Sequence, residues 1–562
     1  MNEKQDSNRN KQNTAKIETA KEQPEKDLAA AKAKATAEKT GPAAEDTANP
    51  GANGGEHSGP AAEKPATTTA GRAATTAPEQ PVTAAGGAAA DENRVNAAAD
   101  LLQGPILPTL LKLSYPILIA MFFVTVFNIV DTFYVSRLGD DAITAMGFTF
   151  PIYMFLIAIG AGVTIGISSA VARALGAGDK EFAAETGKQG VALALAIGLF
   201  IALIGIPIAP KVLTFMGAEG DIFQMSYDYV SVIIFAGIAK YLLHVFDGTL
   251  RGEGHTGASM RMLLVASISN IILDPFFIFG IWFFPRLEVK GAAIATAISW
   301  VIGCLYALDY YRRGKGIFNL DFSRFTLGWQ HLQEIVTVGV PASMNQGFLS
   351  LSLLFFNYIL MRLPLGNTLV AAFSIGFRTE AIMILPLVGL SAGTVIMAGQ
   401  NFGAGKLQRV EEIFLQGRKF LFQIMILMGI VIIALSPYLI KIFSTDPAVV
   451  KYGSQYFQFT ALTYCFLGAG LLANATFQGM GCGYPPFINI LIRLLFFQVA
   501  GAFFFTLCLQ LGPRGAWGAV ALANVGFGTI SSLWVRSYLN RKLKTAGTNA
   551  APEAEVSELQ TL

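Results

Sequence analysis

Two aspartates lie inside long apolar stretches of the sequence, where a carboxylate is costly. Asp131 follows residues 127–130 (FNIV), and Asp274 follows residues 270–273 (NIIL). An ionisable group within hydrocarbon costs at least about 2.5 kcal/mol on insertion scales, so each carboxylate requires a partner or a function. Asn270 precedes Asp274 by four residues, a spacing that places both side chains on one face of a helix.

Hydroxyl groups extend this pattern into a candidate ion site. If the apolar stretches are helices that cross a bilayer, Thr296 and Tyr229 lie at a depth similar to that of the two aspartates. Carboxylate, amide and hydroxyl oxygens are the hard ligands that Na⁺ prefers. Burial and mutual repulsion of two carboxylates also favour uptake of a proton. Asp131, Asn270, Asp274 and Thr296 therefore predict a site for H⁺ or Na⁺, with Tyr229 beside it.

Each aspartate also has a purely structural interpretation. Asp131 could be an interfacial residue ahead of Ser136 and Arg137. Asp274 could cap a break that the following proline, Pro275, induces in its helix. The shared depth of the two aspartates favours the ion site over two separate explanations.

The composition indicates what must position these side chains. Of the 562 residues, 53% are hydrophobic and 14% are charged, whereas a soluble domain has roughly 25% charged residues. Apolar runs of about 20 residues recur from Leu107 onward, long enough to cross a hydrocarbon core of about 30 Å as helices. The net charge of +3, with scattered basic residues, does not indicate a nucleic-acid surface. The four cysteines show no spacing typical of disulfides or zinc sites, and we expect no cofactor.

The sequence predicts an all-α integral membrane protein with twelve transmembrane helices. The expected spans are 109–135, 142–174, 188–209, 222–248, 258–282, 290–311, 332–361, 367–399, 414–440, 451–477, 485–511 and 516–538. Loops on the side of the two termini carry roughly twice as many Lys and Arg as loops on the opposite side, so the positive-inside rule places both termini in the cytoplasm. We expect a multi-pass protein of the cell (inner) membrane.

Low-complexity sequence precedes the first helix. Residues 1–104 are rich in Ala, Lys, Glu, Thr and Pro and bury too little apolar surface to fold, so we expect a disordered cytoplasmic tail. An N-terminal lobe then covers residues 105–325 and a C-terminal lobe covers 326–542. A short cytoplasmic tail, 543–562, completes the chain.

The twelve helices contain an internal duplication. A single shift along the sequence aligns Gly162 with Gly389 and residues 176–178 (GAG) with 403–405, and it carries loop onto loop. We call it the repeat shift. Six helices per repeat give both halves the same orientation in the membrane. The repeat therefore predicts two pseudo-symmetric six-helix bundles around a central cleft, which rocking would open to each side in turn.

The duplication does not extend to the aspartates. The repeat shift pairs Asp131 with Tyr358 and Asp274 with Gly501. We therefore expect the ion site in the N-terminal lobe only.

Other ionisable residues within the spans give weaker signals. Lys240, His244 and Asp247 share one face near the cytoplasmic end of the fourth helix, which favours a snorkelling salt bridge or a gate over an ion site. Arg378 and Glu380 lie two residues apart in the eighth helix. They must face different directions, which indicates separate partners in the central cleft.

The loops do not indicate an enzyme or an ATP-driven pump. Residues 252–257 (GEGHTG) match G-x-G-x-x-G but follow a membrane helix instead of a strand. Residues 403–406 (GAGK) lack the spacing and the hydroxyl residue of a Walker A sequence.

Motifs along residues 105–540 resemble those of the multidrug and toxic compound extrusion (MATE) family. They are VDT at 130–132 followed by Gly139, ALGAG at 174–178, NIILDP at 270–275, GQNFGAG at 399–405 and FQGMG at 477–481. The resemblance implies two six-helix bundles that export hydrophobic, often cationic, compounds in exchange for Na⁺ or H⁺.

The resemblance also implies roles for individual residues. In the DinF-type branch a helix 1 proline and aspartate act with the Asn and Asp of helix 5, together with a Tyr of helix 4 and a Thr of helix 6. The matching positions are Pro116, Asp131, Asn270, Asp274, Tyr229 and Thr296. We expect the substrate cleft to involve Tyr229, Pro116, Met121, Arg378 and Gln346. Helix 7 has Asn345 and Gln346 where the NorM-type pattern has a carboxylate, so a cation site in the C-terminal lobe is not expected.

We therefore expect a monomeric secondary active antiporter that exports hydrophobic or cationic compounds in exchange for H⁺ or Na⁺ by alternating access. Its partners are the lipid bilayer and small substrates, with no nucleic acid. The alternative is a flippase for lipids or lipid-linked oligosaccharides of the same superfamily. A flippase needs a strongly cationic cleft for pyrophosphate, for which Arg378 and Arg493 are the candidates.

Overall fold

The computed structural model describes residues 100–318 and 325–559. Within them, twelve helices are long and apolar enough to cross a membrane, which confirms the predicted all-α membrane fold. In chain order they are α1 Ile106–Ser136, α2 Asp140–Gly176, α3 Lys180–Phe215, α4 Gly220–Gly252, α5 Thr256–Phe279, α6 Glu288–Arg312, α7 Trp329–Met361, α8 Gly366–Gly403, α9 Leu407–Lys441, α10 Pro447–Gly479, α11 Tyr484–Cys508 and α12 Gly512–Leu559.

Two helices begin well before their predicted starts. α3 begins at Lys180 rather than at 188, and α9 begins at Leu407 rather than at 414. The carboxylate of Asp179 accepts a hydrogen bond of 2.8 Å from the backbone N–H of Phe182 and so caps α3. The first turns of both helices are polar, and a pattern of apolar runs therefore misses them.

Part of each expected tail lies within the described residues. The first tail lies outside the described residues up to residue 99, but residues 100–104 are held against the C-terminal lobe. The carbonyls of Leu101 and Leu102 accept hydrogen bonds from Asn401 Nδ2 at 3.1 Å and Lys406 Nζ at 3.2 Å. At the other end, α12 continues as a helix to Leu559.

Each lobe has its own hydrophobic core, built from α2–α6 and from α8–α12. α1 and α7 contribute to both cores. Leu110 near the start of α1 lies in the C-terminal core, whereas Val135 at its end lies in the N-terminal core. In α7 the order is reversed, because Ile335 near its start lies in the N-terminal core and Phe356 near its end lies in the C-terminal core. The first halves of α1 and α7 thus pack against the opposite lobe.

The lobes meet through glycines in one half of the bundle. We call the end where α1 begins the terminus side and the opposite end the far side. A Cβ atom at Gly166 of α2 would lie 3.2 Å from the Cα atom of Gly339 in α7, and one at Gly389 of α8 would lie 3.3 Å from the Cβ atom of Leu118 in α1. All four residues lie in the half of their helix nearer to the terminus side. The absence of side chains at the glycines lets the lobes close there.

Candidate functional site

α5 and α6 bring three of the predicted site residues into direct contact. Asn270 Nδ2 donates hydrogen bonds of 3.1 Å to Asp274 Oδ1 and 3.1 Å to Thr296 Oγ1. The first bond is the consequence of the four-residue spacing on α5, and the second crosses to α6. All three side chains are buried, and Asp274 is completely so.

α1 and α4 add Asp131 and Tyr229 to this cluster. Both side chains are buried, and Asp131 interacts electrostatically with Asp274 and with Tyr229. Tyr153 of α2 lies in the same group, within electrostatic range of Asp131. The cluster therefore combines side chains from α1, α2, α4, α5 and α6 inside the N-terminal lobe.

Three oxygen atoms of the cluster are free to bind a cation. Asp131 Oδ1, Asn270 Oδ1 and Asp274 Oδ2 are buried and have no hydrogen-bond partner among the described residues. Unpartnered buried oxygens are costly, because their lost hydration is not replaced. Two carboxylate oxygens and an amide oxygen are suitable ligands for Na⁺, and either carboxylate can accept a proton.

Arg378 and Gln346 lie apart from this cluster, on helix faces that point toward the opposite lobe. Arg378 precedes Gly389 by three helical turns, and Gln346 follows Gly339 by two, so each shares a face with an inter-lobe glycine. Whereas the glycines contact the other lobe, Arg378 and Gln346 are exposed. The lobes therefore separate toward the far side, and these two residues line the space between them.

Pro116 and Met121 also lie away from the carboxylates. Fifteen residues separate Pro116 from Asp131, about 22 Å along α1. Pro116 lacks the N–H that would continue the helix ladder, and it follows Ser114, which contacts Gly393 of α8. It marks the point where α1 leaves the C-terminal core. Met121 is partly buried, two turns beyond Ser114.

Lys240 differs from its predicted role as a snorkelling or ion-paired residue. Its side chain is 5% exposed, and its Nζ lies 4.2 Å from the ring centre of Tyr153 and 4.9 Å from that of Trp300. Asp247 pairs instead with Arg251, at 2.7 Å. Sequence reasoning missed the contacts of Lys240 with the two aromatic rings, because Tyr153 lies on α2 and Trp300 lies on α6.

Glu380 lies inside the C-terminal lobe and not in the cleft where we expected it. Tyr456 Oη donates a hydrogen bond of 2.9 Å to Glu380 Oε2. Glu380 also interacts electrostatically with Arg493 of α11, whose Nη2 donates a 3.1 Å hydrogen bond to Asn524 Oδ1. The repeat shift could have drawn attention to this group, because it pairs Tyr153 with Glu380 and Tyr229 with Tyr456.

A pair of equivalent contacts closes the terminus side. Arg173 Nη1 donates to the carbonyl of Gly479 at 3.3 Å, and Gln400 Nε2 donates to the carbonyl of Gly252 at 3.1 Å. The repeat shift pairs the donor Arg173 with the donor Gln400, and the acceptor Gly252 with the acceptor Gly479. Arg173 also forms an ion pair with Glu334 of α7. We call the Arg173–Gly479 and Gln400–Gly252 contacts the terminus-side latch.

Comparison with known proteins agrees with this duplicated architecture. The family model described as MatE matches the chain twice, at residues 116–276 and 341–504. The first match begins at the proline inside α1 and the second at the proline inside α7, within two residues of the repeat shift. The chain belongs to the MATE family. The resemblance seen in the motifs is thereby confirmed, while the DinF-type branch stays a prediction.

Curated MATE relatives cover most of the described chain. An FAD transporter of Shewanella oneidensis is 31% identical over 401 residues, which is 70% of this chain and 86% of that protein. The probable multidrug resistance protein NorM of Thermotoga maritima is 27% identical over 73% of this chain and 87% of its own length. The multidrug export protein MepA of Staphylococcus aureus is 25% identical over 70% and 85%, respectively.

Solved MATE structures share the fold. The outward-facing conformation of a multidrug resistance MATE family transporter has a TM-score of 0.74 and 28% identity, covering 80% of this chain and 99% of that one. A MOP superfamily transporter from Pyrococcus furiosus, described by the reverse polarity of its binding pocket, has a TM-score of 0.73 and 28% identity, with coverage of 79% and 98%. Family and fold together identify a multi-pass membrane transporter and not an enzyme.

Proposed function

We propose that this MATE chain is a secondary active multidrug efflux antiporter, exporting hydrophobic or cationic compounds in exchange for H⁺ or Na⁺. The observation that carries the proposal is the buried pair Asp131 and Asp274, each with an oxygen that has no partner among the described residues. Two such carboxylates inside one lobe repel each other in a medium of low dielectric constant. A cation that binds between them relieves this repulsion.

α1 is the element that can report cation binding to the rest of the molecule. Its far half carries Asp131 against α5, while its first half packs in the C-terminal core through Leu110. Pro116 interrupts the hydrogen-bond ladder between these halves. A change in the position of Asp131 when a cation binds can therefore bend α1 and alter the contact between the lobes.

The positive-inside rule assigns the terminus side to the cytoplasm. With the terminus-side latch closed and the lobes separated at the far side, the cleft of this structure then faces outward. The same orientation supports the proposed location in the cell (inner) membrane with both termini cytoplasmic. In an antiport cycle this state releases the exported compound and takes up the ion. We expect a single chain to complete the cycle as a monomer.

A second candidate substrate class is anionic. Arg378 is exposed on the cleft face of α8, and one relative is named as an FAD transporter. A lipid-linked pyrophosphate would need a more strongly cationic cleft. Its other candidate ligand, Arg493, is held inside the C-terminal lobe by Asn524, which favours efflux of small compounds over a flippase.

The decisive experiment uses proteoliposomes of the full-length protein, with dye accumulation driven by either a Na⁺ gradient or a pH gradient alone. Ethidium serves as the cationic probe and FAD as the anionic one. We expect the wild type to move ethidium under at least one gradient. Asp131→Asn and Asp274→Asn should each reduce transport to the level of protein-free liposomes, because each removes a carboxylate that binds the ion.

Asp309→Asn is the matched control, because Asp309 is an exposed acidic residue of α6 that pairs with Arg313. It should transport like the wild type. Wild-type rates in both cluster variants would show that the carboxylates do not couple transport to the ion. Transport of FAD without ethidium would favour the anionic substrate class.

A further inference from the structure

Lys240 is a buried cation in the same lobe as the two carboxylates. Its Nζ is buried and has no hydrogen-bond partner among the described residues. The ring centres of Tyr153 and Trp300 lie 4.2 and 4.9 Å from this Nζ atom. Aromatic faces attract a desolvated ammonium. The titratable groups around it are Tyr153 on α2 and its own neighbours Tyr241 and His244 on α4. A buried charge without a counter-ion calls for a function.

Tyr153 links Lys240 to the ion site. One face of its ring contacts the ammonium, and the residue is within electrostatic range of Asp131. Tyr229, in turn, interacts with Tyr153 and with both aspartates. Tyr153 and Tyr229 therefore connect the ammonium to the two carboxylates within the N-terminal lobe.

The buried charges of this interior do not sum to zero. Asp247 and Arg251 neutralise each other through their ion pair. Glu253, just beyond the end of α4, is bonded to Tyr311 and His255. Among the other described buried residues, this leaves Asp131, Asp274 and Lys240 in the membrane-spanning part of the lobe. Two carboxylates and one ammonium have a net charge of −1, and one monovalent cation balances it.

We propose that Lys240 is the internal counter-charge of the Asp131–Asp274 site and limits it to one monovalent cation per transport cycle. This inference rests on the proposed antiport function. The ammonium replaces a second coupling ion that the two carboxylates would otherwise take up. Removing the charge of Lys240 therefore raises the capacity of the site, whereas removing one carboxylate as well restores it.

The test measures coupling stoichiometry in proteoliposomes of the full-length protein. A fixed gradient of ethidium, a monovalent cation, is balanced against the H⁺ or Na⁺ gradient that stops net flux. The wild type and Lys240→Arg should exchange one ion per ethidium, and Lys240→Met and Lys240→Gln should exchange two. The double variant Asp131→Asn/Lys240→Met should not transport, but equilibrium binding should detect one ion at Asp274, whereas Asp131→Asn alone should bind none. Lys240→Met should also bind its first ion about tenfold more tightly, because a nearby positive charge is removed.

Lys211→Met is the matched control, since it removes an exposed lysine from the same lobe, and it should exchange one ion. A ratio of one in both neutral Lys240 variants, or a ratio of two in the wild type, would overturn the inference while leaving antiport intact. If neither gradient moves ethidium in the wild type, the antiport function fails and the inference fails with it. A role of Lys240 in folding alone would change the yield of protein but not the ratio.

Discussion

In the N-terminal lobe, the buried carboxylates Asp131 and Asp274 have free oxygens and Lys240 is their only buried counter-charge outside an ion pair in the described chain. In the C-terminal lobe, Glu380 accepts a hydrogen bond from Tyr456 and faces Arg493. Asp131, Asp274 and Lys240 together have a net charge of −1, whereas Glu380 and Arg493 together have a net charge of zero. The same helical plan therefore supports a lobe that needs a cation and a lobe that is balanced without one.

Equivalent positions show how this difference arises. The repeat shift pairs Tyr229 with another tyrosine, Tyr456, but it pairs Tyr153 with a carboxylate, Glu380. In α1 and α7 the repeat shift pairs Asp131 with Tyr358, and the family matches, which begin at 116 and 341, pair it with Phe356, so neither alignment places a carboxylate in α7. The buried carboxylate of the C-terminal lobe, Glu380, lies on α8, where it has both a hydrogen-bond donor and an opposite charge.

The largest expected contrast between the lobes follows from removing Glu380. Glu380→Gln removes the charge that interacts with Arg493 and weakens the hydrogen bond from Tyr456, so it should lower stability by about 1–3 kcal/mol. Asp274→Asn keeps an oxygen acceptor for Asn270 and removes the repulsion between Asp274 and Asp131, so it should not lower stability. Thermal unfolding of the detergent-solubilised protein measures both effects, and the ion dependence of dye export should persist in Glu380→Gln only.

Glu380→Gln combined with Arg493→Gln is the control for this contrast, because the double variant removes both charges. It should recover part of the lost stability. The comparison of the lobes breaks down if Glu380→Gln abolishes ion-driven export while its thermal stability equals that of the wild type, since the C-terminal lobe would then contain a coupling site.

Local features of these lobes could be predicted from sequence, and contacts between distant helices could not. The spacing of Asn270 and Asp274 predicts that they share one helix face, where the structure shows a hydrogen bond between them, and the apolar runs located all twelve spans. The aromatic contacts of Lys240 depend on α2 and α6, so its own helix gave only a snorkelling or ion-paired interpretation. Glu380 was placed in the cleft for the same reason: a helical position does not reveal which neighbour packs against it.

The terminus-side latch gives the second contrast. Arg173 is charged and binds both Gly479 and Glu334, whereas its equivalent Gln400 makes a neutral hydrogen bond. Hydrogen bonds of charged groups contribute about 1.5–3 kcal/mol and neutral ones about 0.5–1.5 kcal/mol. Arg173→Ala should therefore open the terminus side more than Gln400→Ala does.

Spin labels at Glu181 and Gln408 can measure this opening. Both positions are exposed, and they occupy equivalent places just after the α2–α3 and α8–α9 turns. Pulsed electron paramagnetic resonance should detect a longer-distance population that grows in the order wild type, Gln400→Ala, Arg173→Ala. Equal populations in the two variants would mean that the charge of Arg173 does not strengthen the latch.

The smallest contrast concerns the glycines at which the lobes touch. At Gly162 a Cβ atom would collide with the backbone carbonyl of Gly339, whereas at the equivalent Gly389 it would lie 3.3 Å from the Cβ atom of Leu118. A carbonyl in a helix cannot move without the helix, so Gly162→Ala should cost about 1–3 kcal/mol of lobe closure, and Gly389→Ala less than about 1 kcal/mol. The same spin-label distances measure both. Equal shifts would show that α1 is held at Leu118 as rigidly as α7 is held at Gly339.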